Sequence, residues 1–283
     1  MANDVNGRAL VLGGGGVAGV AWEAGMLTGL RDAGVDLAAA DLIVGTSAGS
    51  IVGSFLAHGE DVAEAIERIP ADAGAGLDPA PEVDMEAVLN AFAILFDPAI
   101  DPREARVRVG ELALAAPVDH AAERLADIGR RLPRKEWPDR RLLVTAVDAV
   151  DGAFVAWDRD SGVPLPEAVM ASCCVPCVFP PIDINGRRYM DGGARSATNA
   201  DLARGASAVV ILEPMAYLSP RAVLERELRE LGDARVVAIG PDQAAIEIFG
   251  VNVLDQALWV PGFQAGRAQS AAAAPEVRAV WDA

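Results

Sequence analysis

The chain has 283 residues, 52% of them hydrophobic, and a formal net charge of −17. That length allows one large domain or two small ones with a substantial core. The charge repels nucleic-acid phosphates, so no nucleic-acid partner is expected, and it argues against simple electrostatic adhesion to anionic lipid. Any membrane contact would be transient, through an apolar surface or a local basic patch.

Residues 1–8 are polar, without a basic stretch followed by an apolar run, so no signal peptide is expected. No apolar run reaches the length of a membrane span. The first strand is expected at 8–12, entering Gly13-Gly14-Gly15-Gly16. Residues 17–32 read as a helix with Val20, Met26, Leu27 and Leu30 on one face. A second strand, 41–44, runs into Gly45-Thr46-Ser47-Ala48-Gly49 and a further helix. Residues 61–69 read as a short amphipathic helix and 71–81 as an irregular connection.

The stretch 83–96 is apolar around much of its circumference. Leu89, Phe92, Ala93 and Phe96 form one helical stripe; 83–96 is expected to form part of the entrance to the site as a cap, with ordinary core packing as the alternative. The stretch 97–103, with two prolines, ends that helix, and helices are expected at 106–115 and 119–131. The region from about 71 to 135 reads as a helical cap on a single domain covering 1–283. Strands return at 141–147 and 153–157, joined by an Asp151-Gly152 turn. A helix at 164–172 precedes an extended segment at 175–184. Asn185-Gly186 is a two-residue hairpin signal, and its second arm, 187–190, delivers Asp191-Gly192-Gly193. Late strands are expected at 208–212 and 235–239, with a helix at 220–231 between them and a last helix at 254–274. Helices alternating with apolar strands indicate an α/β sheet covered on both faces.

Gly-x-Ser-x-Gly between a strand and a helix makes a sharp turn that lifts the Ser47 hydroxyl clear of the sheet. A capping serine in an ordinary tight turn is the plainer reading. The glycine-rich turn at 13–19 can present backbone amides to an anion at a helix start. As a dinucleotide site it lacks the acidic residue after the second strand, and as a phosphate loop it lacks the lysine. An oxyanion hole suits it better. Serine also needs a proton acceptor. His58 is eleven residues from Ser47, roughly 16 Å along a helix, too far to reach it. His120 sits in an expected surface helix. Asp191, before two glycines, is left as the base, with an ordinary Asp-Gly turn as the alternative. Cys173, Cys174 and Cys177 cluster without a further ligand nearby, so packing in a reducing, cytoplasmic setting is expected rather than zinc or disulfides. No metal or cofactor is expected.

The ordered set of glycine-rich loop, Gly45 to Gly49 and Asp191-Gly192-Gly193 resembles the patatin-like phospholipase family over roughly residues 8–213. The run Ala171-Ser172, Pro176, Phe179-Pro180-Pro181, Gly186, Tyr189 strengthens the resemblance. It implies a three-layer α/β/α sandwich around a mainly parallel sheet. It also implies a Ser-Asp dyad without histidine: Ser47 as nucleophile, Asp191 as base, Gly14, Gly15 and Gly16 as oxyanion donors. Gly19, Gly45, Gly49, Gly192 and Gly193 are the motif glycines. The implied substrates are acyl esters, chiefly phospholipids and neutral lipids, hydrolysed or transferred to another acceptor. A non-enzymatic lipid-binding protein would keep the same fold. Two positions depart from the family pattern: Ala18 stands where a basic residue is usual, and Asn199-Ala200 replaces Asn-Pro.

Overall fold

A computed structural model describes residues 7–64, 83–118 and 121–283. Eight strands form one mixed sheet. They are β1 (Arg8–Leu12), β2 (Leu42–Gly45), β3 (Arg141–Asp148), β4 (Phe154–Trp157), β5 (Ile182–Ile184), β6 (Arg187–Asp191), β7 (Ala208–Leu212) and β8 (Arg235–Ile239). The order β3-β2-β1-β7-β8 is parallel throughout. The hairpin strands β4, β5 and β6 pair antiparallel at the β3 end.

Successive strand residues point to opposite faces, and here both faces are buried. Leu10 and Leu12 of β1, with Val210 and Leu212 of β7, join the larger core under α1 (Gly16–Asp32) and α2 (Ala48–Ala57). Ala9, Val11, Val209 and Ile211 face the other way, against Leu224 and Leu228 of a later helix, Arg221–Glu230. The result is a three-layer α/β/α arrangement. The central strands therefore read as unbroken apolar runs.

Further helices with described bounds are α3 (Met85–Leu95), α4 (Pro102–Ala115), α5 (Ala122–Arg131), α6 (Leu165–Ser172), α7 (Arg221–Glu230), α8 (Gln243–Phe249) and α9 (Trp259–Trp281). Four stretches differ from the sequence reading. Helix α3 ends before 97 as expected, but the next one starts earlier: Pro102 opens α4, where its missing N–H costs nothing and Asp101 caps the amides of Arg103 and Glu104. Residues 175–179 turn rather than extend, with Val178 and Phe179 both donating to the Val175 carbonyl. The last helix starts later and continues through Pro275 to Trp281, held by packing against α1. The short helix α8 has no strong periodic signal. The expected helix at 61–69 and the connection at 71–81 lie largely outside the described residues.

The register of β3 positions the site. Val144 pairs with Trp157 on one side and Gly45 on the other. Ala146 pairs with Val155 on one side and Asp191 on the other. A strand has two edges and β4 occupies one of them. So β2 and β6 follow one another along the opposite edge, running towards each other. The chain leaves β2 just before Ser47 and leaves β6 at Asp191, and the two ends meet.

Candidate active site

Ser47 has φ 52° and ψ −117°, a conformation that L-residues avoid at a cost of roughly 1–3 kcal/mol. The surroundings hold it there. Its N–H donates to Ser172 Oγ at 2.9 Å. Its carbonyl accepts from Ser50 Oγ at 2.6 Å and from Cys173 Sγ at 3.4 Å. A Cβ at Gly49 would overlap the Leu12 carbonyl, so only glycine lets the first turn of α2 lie on the end of β1. The serine occupies the N-cap position of α2, yet its side chain makes no capping bond. The hydroxyl is thus not committed to the helix, which removes the plainer reading of a capping serine.

Asp191 is 4% exposed. Its N–H donates to the Cys174 carbonyl at 2.9 Å, and its Oδ1 accepts from the Gly193 amide at 2.7 Å. Burial pushes its carboxyl from the ordinary 3.8 up to about 7; hydrogen bonds from the Ser47 hydroxyl and the Gly193 amide pull the other way. A carboxylate in water is too weak a base for this task. One pushed up towards neutrality beside a serine hydroxyl can accept its proton.

The glycine loop lies against the serine: a Cβ at Gly14 would come 3.4 Å from the Ser47 Cβ. The expectation that three successive amides face an oxyanion needs correction at Gly14. That amide already donates to the Ala197 carbonyl at 2.8 Å. The backbone network gives the amides of Gly15 and Gly16 no acceptor among the described residues. Gly16 (φ 59°) shares a cavity wall with Ser47 and with Ala48, the first residue of α2. Ala48 is a site residue that the sequence reading did not single out; its place at the helix N-terminus was the available signal.

That cavity holds about 720 Å³ and is lined mainly by apolar side chains. Ile51 and Phe55 enter it from α2, Val20 from α1, and Val178 and Phe179 from the turn before β5. Met85 and Ala87 bring the start of α3 to its wall. Of the expected stripe only Phe92 turns inward, half-buried against Val88, Cys177 and Val178. Leu89 is 64% exposed, Ala93 and Phe96 are exposed, and the residues α3 buries are Val88 and Ala91. The charged groups of the wall include Arg124, Asp127 and Arg131 of α5. Ala18, standing where a cation is usual, is packed away, with its amide on the Val253 carbonyl at 3.0 Å.

His58 closes the far end of α2, its ring nitrogens against the carbonyl oxygens of Ser54 at 2.7 Å and Glu136 at 3.2 Å. It does not approach Ser47. His120 lies outside the described residues. Cys173 and Cys174 are buried beside the site, the latter's thiol on the Pro180 carbonyl at 2.9 Å. Burial pushes both thiols well up from their ordinary range. No helix among the described residues is long and apolar enough to cross a membrane.

Among solved structures, VipD from Legionella pneumophila is 13% identical over 97% of this chain and 67% of its own, with a TM-score of 0.47. ExoU, solved with SpcU from the type III secretion system of Pseudomonas aeruginosa, is 19% identical over 94% of this chain, with a TM-score of 0.36. The chain spans 53% of ExoU's length. No curated protein matches. Residues 10–204, more than half of the chain, match the family described as patatin-like phospholipase, and the chain belongs to that family.

Proposed function

We propose that the chain is a serine acyl hydrolase acting on lipids or other hydrophobic esters through Ser47 and Asp191. The observation that carries this is their meeting at one junction: β2 and β6 deliver a strained, non-capping serine and a buried aspartate to the same edge of β3, and burial pushes the aspartate carboxyl up to about 7, with the Ser47 hydroxyl pulling the other way. Ser47 Oγ attacks the ester carbonyl as Asp191 takes its proton. The oxyanion is stabilised by the amides of Gly15 and Gly16 and by the N-terminus of α2. The alkoxide leaves with the proton that Asp191 returns, and the acyl group stays on Ser47. Water then gives a proton to Asp191 and attacks the acyl-enzyme; the bond to Ser47 Oγ breaks as Asp191 returns the proton to it, and the acid is released. A cavity of about 720 Å³ lies in the usual range for ligand sites, and its apolar lining suits an acyl chain. The free cysteines suit a reducing, cytoplasmic setting.

The test is hydrolysis of a short-chain p-nitrophenyl ester. Wild-type protein should turn it over, and Ser47→Ala should not while keeping its circular dichroism spectrum. Wild-type turnover by folded Ser47→Ala would end this reading.

A further inference from the structure

Asn199 takes no part in the chemistry above, yet it is fully buried at the junction where that chemistry is set up. It adopts φ 52° in the left-handed region, which asparagine tolerates better than most residues. Its Nδ2 donates to Thr46 Oγ1 at 3.0 Å and to the Ser196 carbonyl at 2.9 Å. The same nitrogen lies 3.4 Å from the Gly192 carbonyl and 3.5 Å from Thr145 Oγ1. Thr46 and Thr145 hydroxyls are themselves 2.9 Å apart. Its Oδ1 accepts from Arg195 Nη1 at 2.8 Å, and Arg195 in turn is paired with Asp201.

The significance lies in the neighbours. Thr46 immediately precedes Ser47, and Gly192 immediately follows Asp191. The strands that deliver these two residues, β2 and β6, meet along one edge of β3, and each is laddered to β3 and to one outer neighbour. Side chains join their facing ends: Asn199 touches both, and the Thr145 hydroxyl bonds Thr46 and lies against Gly192. The Asn199 amide has two hydrogens and four oxygen acceptors around it, so its position is fixed from several directions.

We propose that Asn199 is a positioning residue: by holding Thr46 and Gly192 together it sets the separation of the Ser47 hydroxyl from the Asp191 carboxylate. The proposal rests on the acyl-hydrolase reading. A misplacement of about 1 Å between reacting groups costs on the order of 100-fold in rate. Asn199→Gly keeps the left-handed backbone without strain and deletes the amide. It should lower kcat for a short-chain ester by about 100-fold and leave KM unchanged. Asn199→Asp keeps the size but turns an acceptor towards Thr46 Oγ1 and the Gly192 and Ser196 carbonyls, and should lose as much.

The experiment is a double-mutant cycle read by the rate at which a fluorophosphonate labels Ser47. If Asn199 acts through the dyad, Asn199→Gly slows labelling in the wild-type background and adds nothing in an Asp191→Asn background. A residue that merely supports the fold would slow both alike and depress melting in step, which would overturn the proposal. So would a kcat within about threefold of wild type, against the expected loss of about 100-fold. Should Asn199→Gly not fold, Thr145→Val, nearly isosteric, removes one member of the same cluster. It should lower kcat alone, and wild-type kcat would count against the proposal. Activity that survives Ser47→Ala would sink the acyl-hydrolase reading and this proposal with it. Activity lost in Ser47→Ala but kept in Asn199→Gly overturns the role of Asn199 only.

Discussion

Replacing Asp191 with Asn should destroy activity and, at the same time, stabilise the protein in a pH-dependent way. In the unfolded chain the carboxyl titrates near its ordinary 3.8; in the folded protein burial pushes it up to about 7. Below 3.8 both states hold the proton, and the residue contributes nothing pH-dependent. Between the two values the unfolded chain releases the proton and the folded protein keeps it, so stability falls as pH rises. Above about 7 the loss is complete. Three pH units at about 1.4 kcal/mol each make it about 4 kcal/mol, with little solvent screening because the residue is 4% exposed. Asparagine keeps the acceptor for the Gly193 amide and never ionises. For a chain of this length, Asp191→Asn should therefore melt about 3 °C above wild type at pH 5 and about 7 °C above at pH 8. The assay is thermal unfolding followed by circular dichroism at the two pH values. The ester hydrolysis of wild type should rise over the same interval, since the base must be ionised to act. A melting difference that does not change with pH, or a variant less stable than wild type at pH 8, would refute the burial argument.

Ile51 lies one turn beyond Ser47 on the cavity wall, so Ile51→Trp should cut turnover of dodecanoyl esters by about tenfold relative to butyryl esters; a p-nitrophenyl ester chain-length series measures it. His58→Ala should keep most activity in the same assay, because its ring is engaged at the other end of α2; a loss of orders of magnitude would indicate a triad. Gly49→Ala should cost about 4 kcal/mol or more in a denaturant titration, because the new methyl overlaps the Leu12 carbonyl.

The strands of the sheet were legible because most are buried on both faces and read as apolar runs between turn residues. The Asn185-Gly186 hairpin was legible for a different reason: both residues take positive φ, which few residue pairs accept. Ser47 and Asp191 were visible as motif residues, but that they meet depends on β2 and β6 sharing an edge of β3. Pairing between residues far apart in sequence leaves no local pattern. For the same reason the sequence could not show that Gly14's amide is taken by Ala197, or that Ser172 holds the Ser47 amide. Asn199 drew notice only for the residue beside it. The stripe on α3 failed because an apolar face shows which side of a helix is greasy, not whether a neighbour covers it. The helix buries Val88 and Ala91, a narrower set than its composition suggests. Two helix boundaries were misplaced beside prolines: α4 starts at Pro102, a first-turn position that needs no amide, and α9 runs on through Pro275, held by α1.

The central claim is that Ser47 is a nucleophile activated by Asp191. Treatment with a fluorophosphonate, followed by proteolysis and mass mapping, tests it most directly. Wild-type protein should gain one phosphonyl group, on the peptide that contains Ser47, and Asp191→Asn should react far more slowly. An unlabelled wild-type protein, a label on Ser50 or Ser172 instead, or an Asp191→Asn variant labelled as fast as wild type would contradict the account.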